Sequence, residues 1–271
     1  MLLSGTKSVS LTTSMTEKDR IKIEALKKEN ERNELLVRRR LIESAEGGLI
    51  SVVEEFEKGF EILSRYPRTV TIFGSARLPQ DHPTCKQAFA AAWALAKHEY
   101  AVVTGGGGGV MEAANHGAIK AGGGSIGFNI HLPMEQNLNA YTTDDYRFEH
   151  FFSRKVTMTL DASGYVFCGG GFGTLDEFFE IITLVQTGII PNVPIVLLGT
   201  DFWTPLMDVI EETMDKKFQT IDPDDKDLYI ITDDIKTVVE TISQRPFGES
   251  RDKMFERAYR LKNRWIAEGR K

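Results

Sequence analysis

The chain has 271 residues, 41% of them hydrophobic and 27% charged, with a formal net charge of -6. That composition describes a folded globule of one large domain or two small ones rather than a disordered polymer. No apolar run approaches the ~18 residues that cross a bilayer, and the negative balance argues against a nucleic-acid partner, whose phosphates need many Lys and Arg. The first fifteen residues lack the basic, apolar and small-residue segments of a signal peptide, so the expected compartment is the cytoplasm.

Residues 1–16 are rich in Ser and Thr without periodicity and read as a disordered leader. Residues 17–66 read as a helical extension: a densely charged, exposed helix to about Arg40, then a second helix with Leu49, Val53, Phe56, Phe60 and Leu63 on one face, ended by Pro67. This face is expected to dock on the main domain or on a second subunit. Residues 67–245 alternate short β-branched runs with glycine loops and helices. Strands are predicted at Thr69–Phe73, Ala101–Thr104, Ser125–Ile130, from Tyr165 to Cys168 and from Pro194 to Leu198, and helices from Ala88 to Lys97 and at Val110–Ala121. That alternation implies right-handed βαβ units in a doubly wound parallel sheet, a Rossmann-like α/β class. Residues 246–271 read as a charged helix with Phe255, Tyr259, Leu261 and Trp265 as packing contacts.

In such a sheet a ligand sits beyond the carboxyl ends of the strands, and three of those ends carry glycines. They are Gly74-Ser75, Gly105 to Gly109, and Gly169-Gly170-Gly171-Phe172-Gly173-Thr174. A glycine loop opening a helix offers backbone N–H groups and the positive end of the helix dipole to an anion, phosphate above all. No Walker lysine follows the second long loop, where Leu175-Asp176-Glu177 stands instead, so a triphosphate motor is disfavoured. Two readings of Thr174-Leu175-Asp176-Glu177 stay open. One is a capping box closing between Thr174 and Glu177. The other is a phosphate loop with Glu177 turned toward the attached group, its ionised form favoured by a place in the first helical turn. Arg154-Lys155 puts two cations near a helix start, where the dipole disfavours them unless an anion is close.

Taken together these segments resemble the Lonely Guy (LOG) family, long labelled lysine decarboxylase-like, whose hallmark is PGGxGTxxE. Here it stands as Gly169-Gly170-Gly171-Phe172-Gly173-Thr174-Leu175-Asp176-Glu177, with Gly169 in place of proline. Supporting matches are Phe73-Gly74-Ser75, Thr104-Gly105-Gly106-Gly107 with Val110-Met111-Glu112-Ala113-Ala114-Asn115, Leu132-Pro133-Met134-Glu135-Gln136, Arg154-Lys155, and Ile182-Thr183 with Gln186 and Gly188. The resemblance runs from about Thr69 to about Thr200. It implies hydrolysis of the N-glycosidic bond of a purine nucleoside 5'-monophosphate, AMP or a cytokinin riboside monophosphate, to free base and ribose 5-phosphate. It also implies a homodimer or higher homo-oligomer, with a nucleotide as the small-molecule partner. Carried over by position, Arg154 and Glu177 match the catalytic pair. Glu135, Lys155, Gly171, Phe172, Gly173, Thr174, Leu175, Asp176 and Thr183 match the substrate-binding set, and Gly74, Ser75, Gly106 and Gly107 join it as loop contacts.

Breaking the C1'–N bond builds positive charge on the ribose, which an ionised Glu177 would stabilise. Guanidinium does not give up its proton in a protein, so Arg154 is assigned to stabilising the anion and leaving group and to holding Glu177 charged. Gly169 in place of proline is expected to loosen the turn into the loop without removing a functional atom. No metal and no cofactor are expected: His82, His98, His116, His131 and His150 lack ligand spacing, and Lys155 lacks the companions of a pyridoxal Schiff base. Cys85 and Cys168 read as buried apolar residues. The alternative function is a non-catalytic nucleotide or molybdenum-cofactor-type carrier on the same fold.

Overall fold

The computed structural model describes residues 51–131, 137–160, 162–190 and 192–244, together with Lys22, Glu24, Lys27, Lys28, Leu35 and Leu36. Strands that are apolar at successive positions fit only where both faces of a sheet are covered. β1 (Thr69–Phe73), β2 (Ala101–Thr104) and β3 (Ser125–Ile130) are such strands, buried at every residue. With β4 (Asp144–Phe148), β5 (Ala162–Cys168), β6 (Ile195–Leu198) and β7 (Ile230–Thr232) they form a seven-stranded sheet in the order β4-β3-β2-β1-β5-β6-β7. Every pairing is parallel.

The connecting helices are α1 (52–63), α2 (Pro83–Lys97), α3 (Val110–Ala121), α4 (Phe151–Thr159), α5 (Phe172–Gln186), α6 (Thr200–Ile210) and α7 (Ile235–Ser243). α6 runs on into a π-helical turn, Glu211–Lys217. Alternate strand residues sort into two cores. Val70, Ile72, Val102, Val166 and Cys168 meet α2, α3 and α7 through Ala88, Leu95, Ala114 and Val238. Phe73, Val103, Phe128 and Phe167 meet the opposite layer through Ile62, Met158, Phe178, Ile181 and Trp203. The Trp203 indole satisfies its one donor on the Phe167 carbonyl, at 2.8 Å.

The expected doubly wound α/β class is therefore what the chain adopts. The first three strands have the expected bounds, β5 begins three residues earlier and α2 five residues earlier. The early start of α2 follows from Pro83 in its first turn and from the His82 ring, whose Nδ1 accepts the Thr84 N–H at 3.2 Å. β4 and β7 were not foreseen. β4, with the sequence DDYRF, lies at the sheet edge and is only partly buried, so it lacks the apolar texture of the inner strands. Cys85 and Cys168 are free and buried, as read.

α1 docks on the main domain through Leu63 of the expected face, while Val53 and Phe60 of that face stay off it. Val53 is 56% exposed, Phe60 is 37% exposed, and Phe56 stacks on Phe60 with ring centroids 5.6 Å apart. The face that packs inward is Val52, Glu55, Gly59, Ile62 and Leu63. Both stripes have helical spacing, and the outer one is the more apolar by sequence. The inner one wins because Gly59 allows close contact and because Glu55 finds hydrogen-bond partners. The helix stops at 63, four residues before Pro67.

Contacts divide the chain into two units, 1–51 and 52–271. In the first, the described positions from Lys22 to Leu36 are helical and exposed, and Lys28 pairs with Glu24 one turn away at 3.7 Å. The leader 1–16 and the C-terminal stretch 246–271 lie outside the described residues. Among the described residues no helix is long and apolar enough to cross a membrane. From the orientation of α1, Val52→Ser is expected to lower the unfolding free energy by about 2 kcal/mol and Val53→Ser by less than about 0.5 kcal/mol, measured by urea denaturation.

Candidate active site

The chain builds outward from β1 to β4, crosses back through α4, and resumes at β5 on the other side of β1. A doubly wound sheet holds its ligand crevice at such a reversal of strand order, at the carboxyl edge of the strands. The Ser75 N–H donates to the Gly169 carbonyl at 3.1 Å, and the Val110 N–H donates to the Ser75 carbonyl at 2.9 Å. These two bonds tie the β1 loop to the β5 loop and to the start of α3. Gly109, at φ +63°, is required here, since a β-carbon on it would lie 2.3 Å from the Ser75 oxygen. Gly74 packs directly on the Val110 side chain, and the Ser75 hydroxyl accepts the Arg77 N–H at 3.1 Å.

The loop after β2 is fixed from beneath by a buried polar network. The Thr104 hydroxyl donates to Asn115 Oδ1 at 2.6 Å and accepts the Gly106 N–H at 2.9 Å. Asn139 donates its amide to Asn115 Oδ1 at 2.9 Å and to the Gly107 carbonyl at 3.0 Å, while its backbone N–H meets the Gly106 carbonyl at 2.8 Å. Gly106 and Gly107 thus turn their carbonyls toward Asn139. Satisfied in this way, the network holds the loop rigid.

Arg154 reaches the crevice from α4. Its Nε donates to the Phe128 carbonyl within β3, at 2.7 Å, and a β-carbon on Gly105 would lie 2.2 Å from Nη2. The guanidinium therefore meets the glycine loop end-on through Nη2, where only a glycine leaves room. Desolvation pulls its pKa down, and the charge of Glu177 opposes that pull.

The loop after β5 is different in kind. α5 starts at Phe172 with Gly171 as an extended cap residue, and no side chain caps its first turn. The capping box between Thr174 and Glu177 is not formed, because the helix begins two residues before Thr174. Glu177 consequently falls in the second turn. Gly171 and Gly173 face open space, and Phe172 is 93% exposed, which leaves a bare helix N-terminus facing outward. At Gly169 the Phe202 ring fills the space beside the chain, 3.2 Å from where a β-carbon would stand.

Glu177 precedes Phe178, one of the fully buried side chains of the core, and is itself only 8% exposed. Its Oε2 has no hydrogen-bond partner, and the Lys155 ammonium is 3.9 Å from it. Burial pushes its pKa up to about 7, against the pull of Arg154 and Lys155 and with the help of Asp176 and Glu180. The expectation of a carboxylate held ionised by the helix dipole is thereby corrected: desolvation outweighs both cations. Lys155 contacts Asp176 at 2.9 Å and Glu180 at 2.8 Å. The anion that its place near a helix start called for is built into the protein.

Of the other sequence-identified positions, Leu175 turns half-buried toward the core and Asp176 stays exposed beside Lys155. Thr183 is not brought to the Arg154–Glu177 pair. It lies six residues further along α5, about 9 Å along the axis and about 240° round it. There its hydroxyl bonds back to the Phe179 carbonyl at 2.6 Å, beside a groove lined by Phe179, Gln186, Met207, Met214 and Tyr229. Glu135 lies outside the described residues. Asn139 and Glu180 were missed. A single polar residue in a connecting loop or on a helix carries no spacing signal, and only proximity in space reveals either.

A Rossmann-like α/β protein with an open helix N-terminus and a buried carboxyl beside a guanidinium at its switch point is the class that this fold and site define. Comparison with known proteins narrows it. The family model described as "Possible lysine decarboxylase" matches residues 111–242. The cytokinin riboside 5'-monophosphate phosphoribohydrolase of Rhodococcoides fascians is 26% identical over 180 residues, 65% of this chain and 89% of that protein. The enzyme of that name designated LOG5 in Arabidopsis thaliana is 26% identical over 144 residues, 52% of this chain and 62% of that protein. The chain thus spans about three fifths of the length of this plant relative. The crystal structure of TM1055 aligns at 26% identity with a TM-score of 0.50, covering 65% of this chain and 99% of that one. The resemblance to the Lonely Guy family holds. Burial lowers the Lys155 pKa, but the hydrogen bonds to Glu180 and Asp176 prevail and raise it, so this lysine stands as a cation within the carboxylate cluster.

Because the Glu177 pKa of about 7 lies above its ordinary 4.5, the native state favours the protonated form. Its contribution to stability is complete below pH 4.5 and lost as pH rises through 7. Glu177→Gln removes that dependence. Between pH 4.5 and 8 its unfolding free energy is expected to gain about 3 kcal/mol relative to wild type, read from urea denaturation across pH.

Proposed function

We propose that the crevice hydrolyses the N-glycosidic bond of a purine nucleoside 5'-monophosphate, AMP or a cytokinin riboside monophosphate. The observation that carries this reading is the buried Glu177 carboxyl with Arg154 nearby, one helical turn beyond the open N-terminus of α5. One turn from Gly173 to Glu177 is about 6 Å along the axis, a span suited to a ribose whose 5'-phosphate rests on the loop N–H groups of Gly171 to Thr174. The phosphate is held by backbone and dipole, and the anomeric carbon is then brought against the carboxyl.

In this reading the C1'–N bond breaks with its electron pair passing to the purine, and positive charge develops on the ribose. The ionised form of Glu177 stabilises that charge and takes a proton from the water whose oxygen bonds to C1'. The purine nitrogen takes up a proton from solvent as it leaves, and Glu177 returns to solvent the proton it took, so the net consumption is one water. A carboxyl that titrates near neutrality suits this exchange, because its two protonation states are both accessible at working pH. Arg154 stabilises charge on the leaving side and biases Glu177 toward ionisation. Lys155, held by Asp176 and Glu180, orients the charged face of α5 beside Glu177. The names of the relatives support the same reaction class. Assembly as a homodimer or larger homo-oligomer belongs to the same reading and is checked by light scattering of the full chain.

Incubated with AMP, the full chain is expected to release adenine and ribose 5-phosphate, with kcat lowered by about 100-fold or more in Glu177→Ala and in Arg154→Ala. Tight binding of nucleoside monophosphates by the wild type without turnover of any of them would overturn the reading and leave a carrier in its place.

A further inference from the structure

α4 has nine residues, and its cap residue His150 gives no side-chain bond to the first turn. A short helix with bare N–H groups and two cations near its positive end is poorly held by its own chemistry. Its start is anchored instead from α1, through the residue before the cap, the cap side chain and Ser153. Glu55 is 3% exposed, and its carboxylate accepts the Glu149 N–H at 2.8 Å, meets His150 Nδ1 at 3.1 Å and accepts the Ser153 hydroxyl. Burial raises the Glu55 pKa, yet the bonds from Ser153, Glu149 and His150 prevail and hold it below the usual carboxylate range.

One turn further along, α1 touches α4 again. A β-carbon on Gly59 would lie 2.5 Å from Thr157 Cγ2, and the Thr157 hydroxyl bonds back to the Ser153 carbonyl at 2.8 Å. Ser153 and Thr157 therefore face α1. Arg154, about 100° round the helix from Ser153, faces β3 and binds the Phe128 carbonyl. Two contacts on one side of α4 set its rotation and its axial position, and that setting determines where the guanidinium lies.

We propose that Glu55 is a positioning residue, which locks α4 so that Arg154 is delivered to the crevice close to Glu177. The proposal rests on the reading of Arg154 and Glu177 as the working pair. Glu55 lies outside the matched residues 111–242, and the inference comes from contacts across the two helices. An apolar residue would serve adhesion alone, as Val52 and Ile62 do on the same face. A buried carboxylate is a poor route to stability because its desolvation must be offset. Its three directed bonds fix orientation, which apolar packing does not.

The test compares Glu55→Ala, Glu55→Gln and Ser153→Ala, with Glu55→Ala also placed in an Arg154→Ala background. Three quantities are read: kcat and KM for AMP, thermal unfolding, and the Glu177 side-chain titration midpoint by carbon-13 NMR. Glu55→Ala is expected to lower kcat by about tenfold with KM changed less than about threefold, and to raise the Glu177 midpoint by about half a unit as the guanidinium moves off. In the Arg154→Ala background it changes neither. Glu55→Gln, which keeps an acceptor for the Glu149 N–H, recovers part of both effects, and with Ser153→Ala it carries the comparison if Glu55→Ala does not fold. A lowered melting temperature with wild-type kcat and midpoint overturns the proposal, as do losses that add to those of Arg154→Ala. Should the wild type hydrolyse no nucleotide, the reaction assignment falls alone, and the midpoint comparison still decides the role of Glu55.

Discussion

A carboxyl buried at the edge of a parallel sheet must either share its charge with a cation or keep its proton. Glu177 stands between these outcomes, because Arg154 and Lys155 pull toward ionisation while burial and two neighbouring carboxylates push against it. The arrangement depends on that tension. It needs the strand order to reverse beside β1, so that a crevice exists, and it needs a crossover helix that brings a guanidinium back to the same point. It also needs α5 to start early enough that its second turn, rather than its first, meets the pair.

The two long glycine loops share a composition and differ in physics. After β2, the carbonyls of Gly106 and Gly107 are engaged by Asn139, and Asn115 braces the turn from below. That loop is a rigid wall on which the Arg154 guanidinium rests. After β5, Gly171 and Gly173 stand clear of other groups and the helix start is bare. One loop is closed by its own protein and the other is open to a guest, which explains why a phosphate is assigned to the second.

Ion pairing around Lys155 has a similar logic. Two carboxylates at 2.9 and 2.8 Å occupy it, so its charge is spent on orienting the network more than on recruiting a ligand from solvent. The same neighbours load negative charge beside Glu177. Acidic residues on α5 thereby act directly on a carboxyl of their own helix, against the pull of the lysine from α4.

The sequence by itself determined the doubly wound α/β class, the three inner strands β1 to β3, both buried cysteines and the glycine loops at the strand ends, because apolar runs and glycine clusters are local signals. It did not reveal β4, a polar edge strand whose residues resemble a loop. It did not reveal which stripe of α1 meets the main domain: Val53 and Phe60 stand exposed on this chain, and contact with α4 rewards Glu55 and Gly59. It placed Glu177 just beyond a glycine loop but did not give its protonation, which depends on how deeply the helix sinks into the core around Phe178. Tertiary structure decided what was non-local: which residues meet across helices, and how much water a charged group loses when they do. Desolvation and directed hydrogen bonds between distant segments leave no periodic trace along the chain.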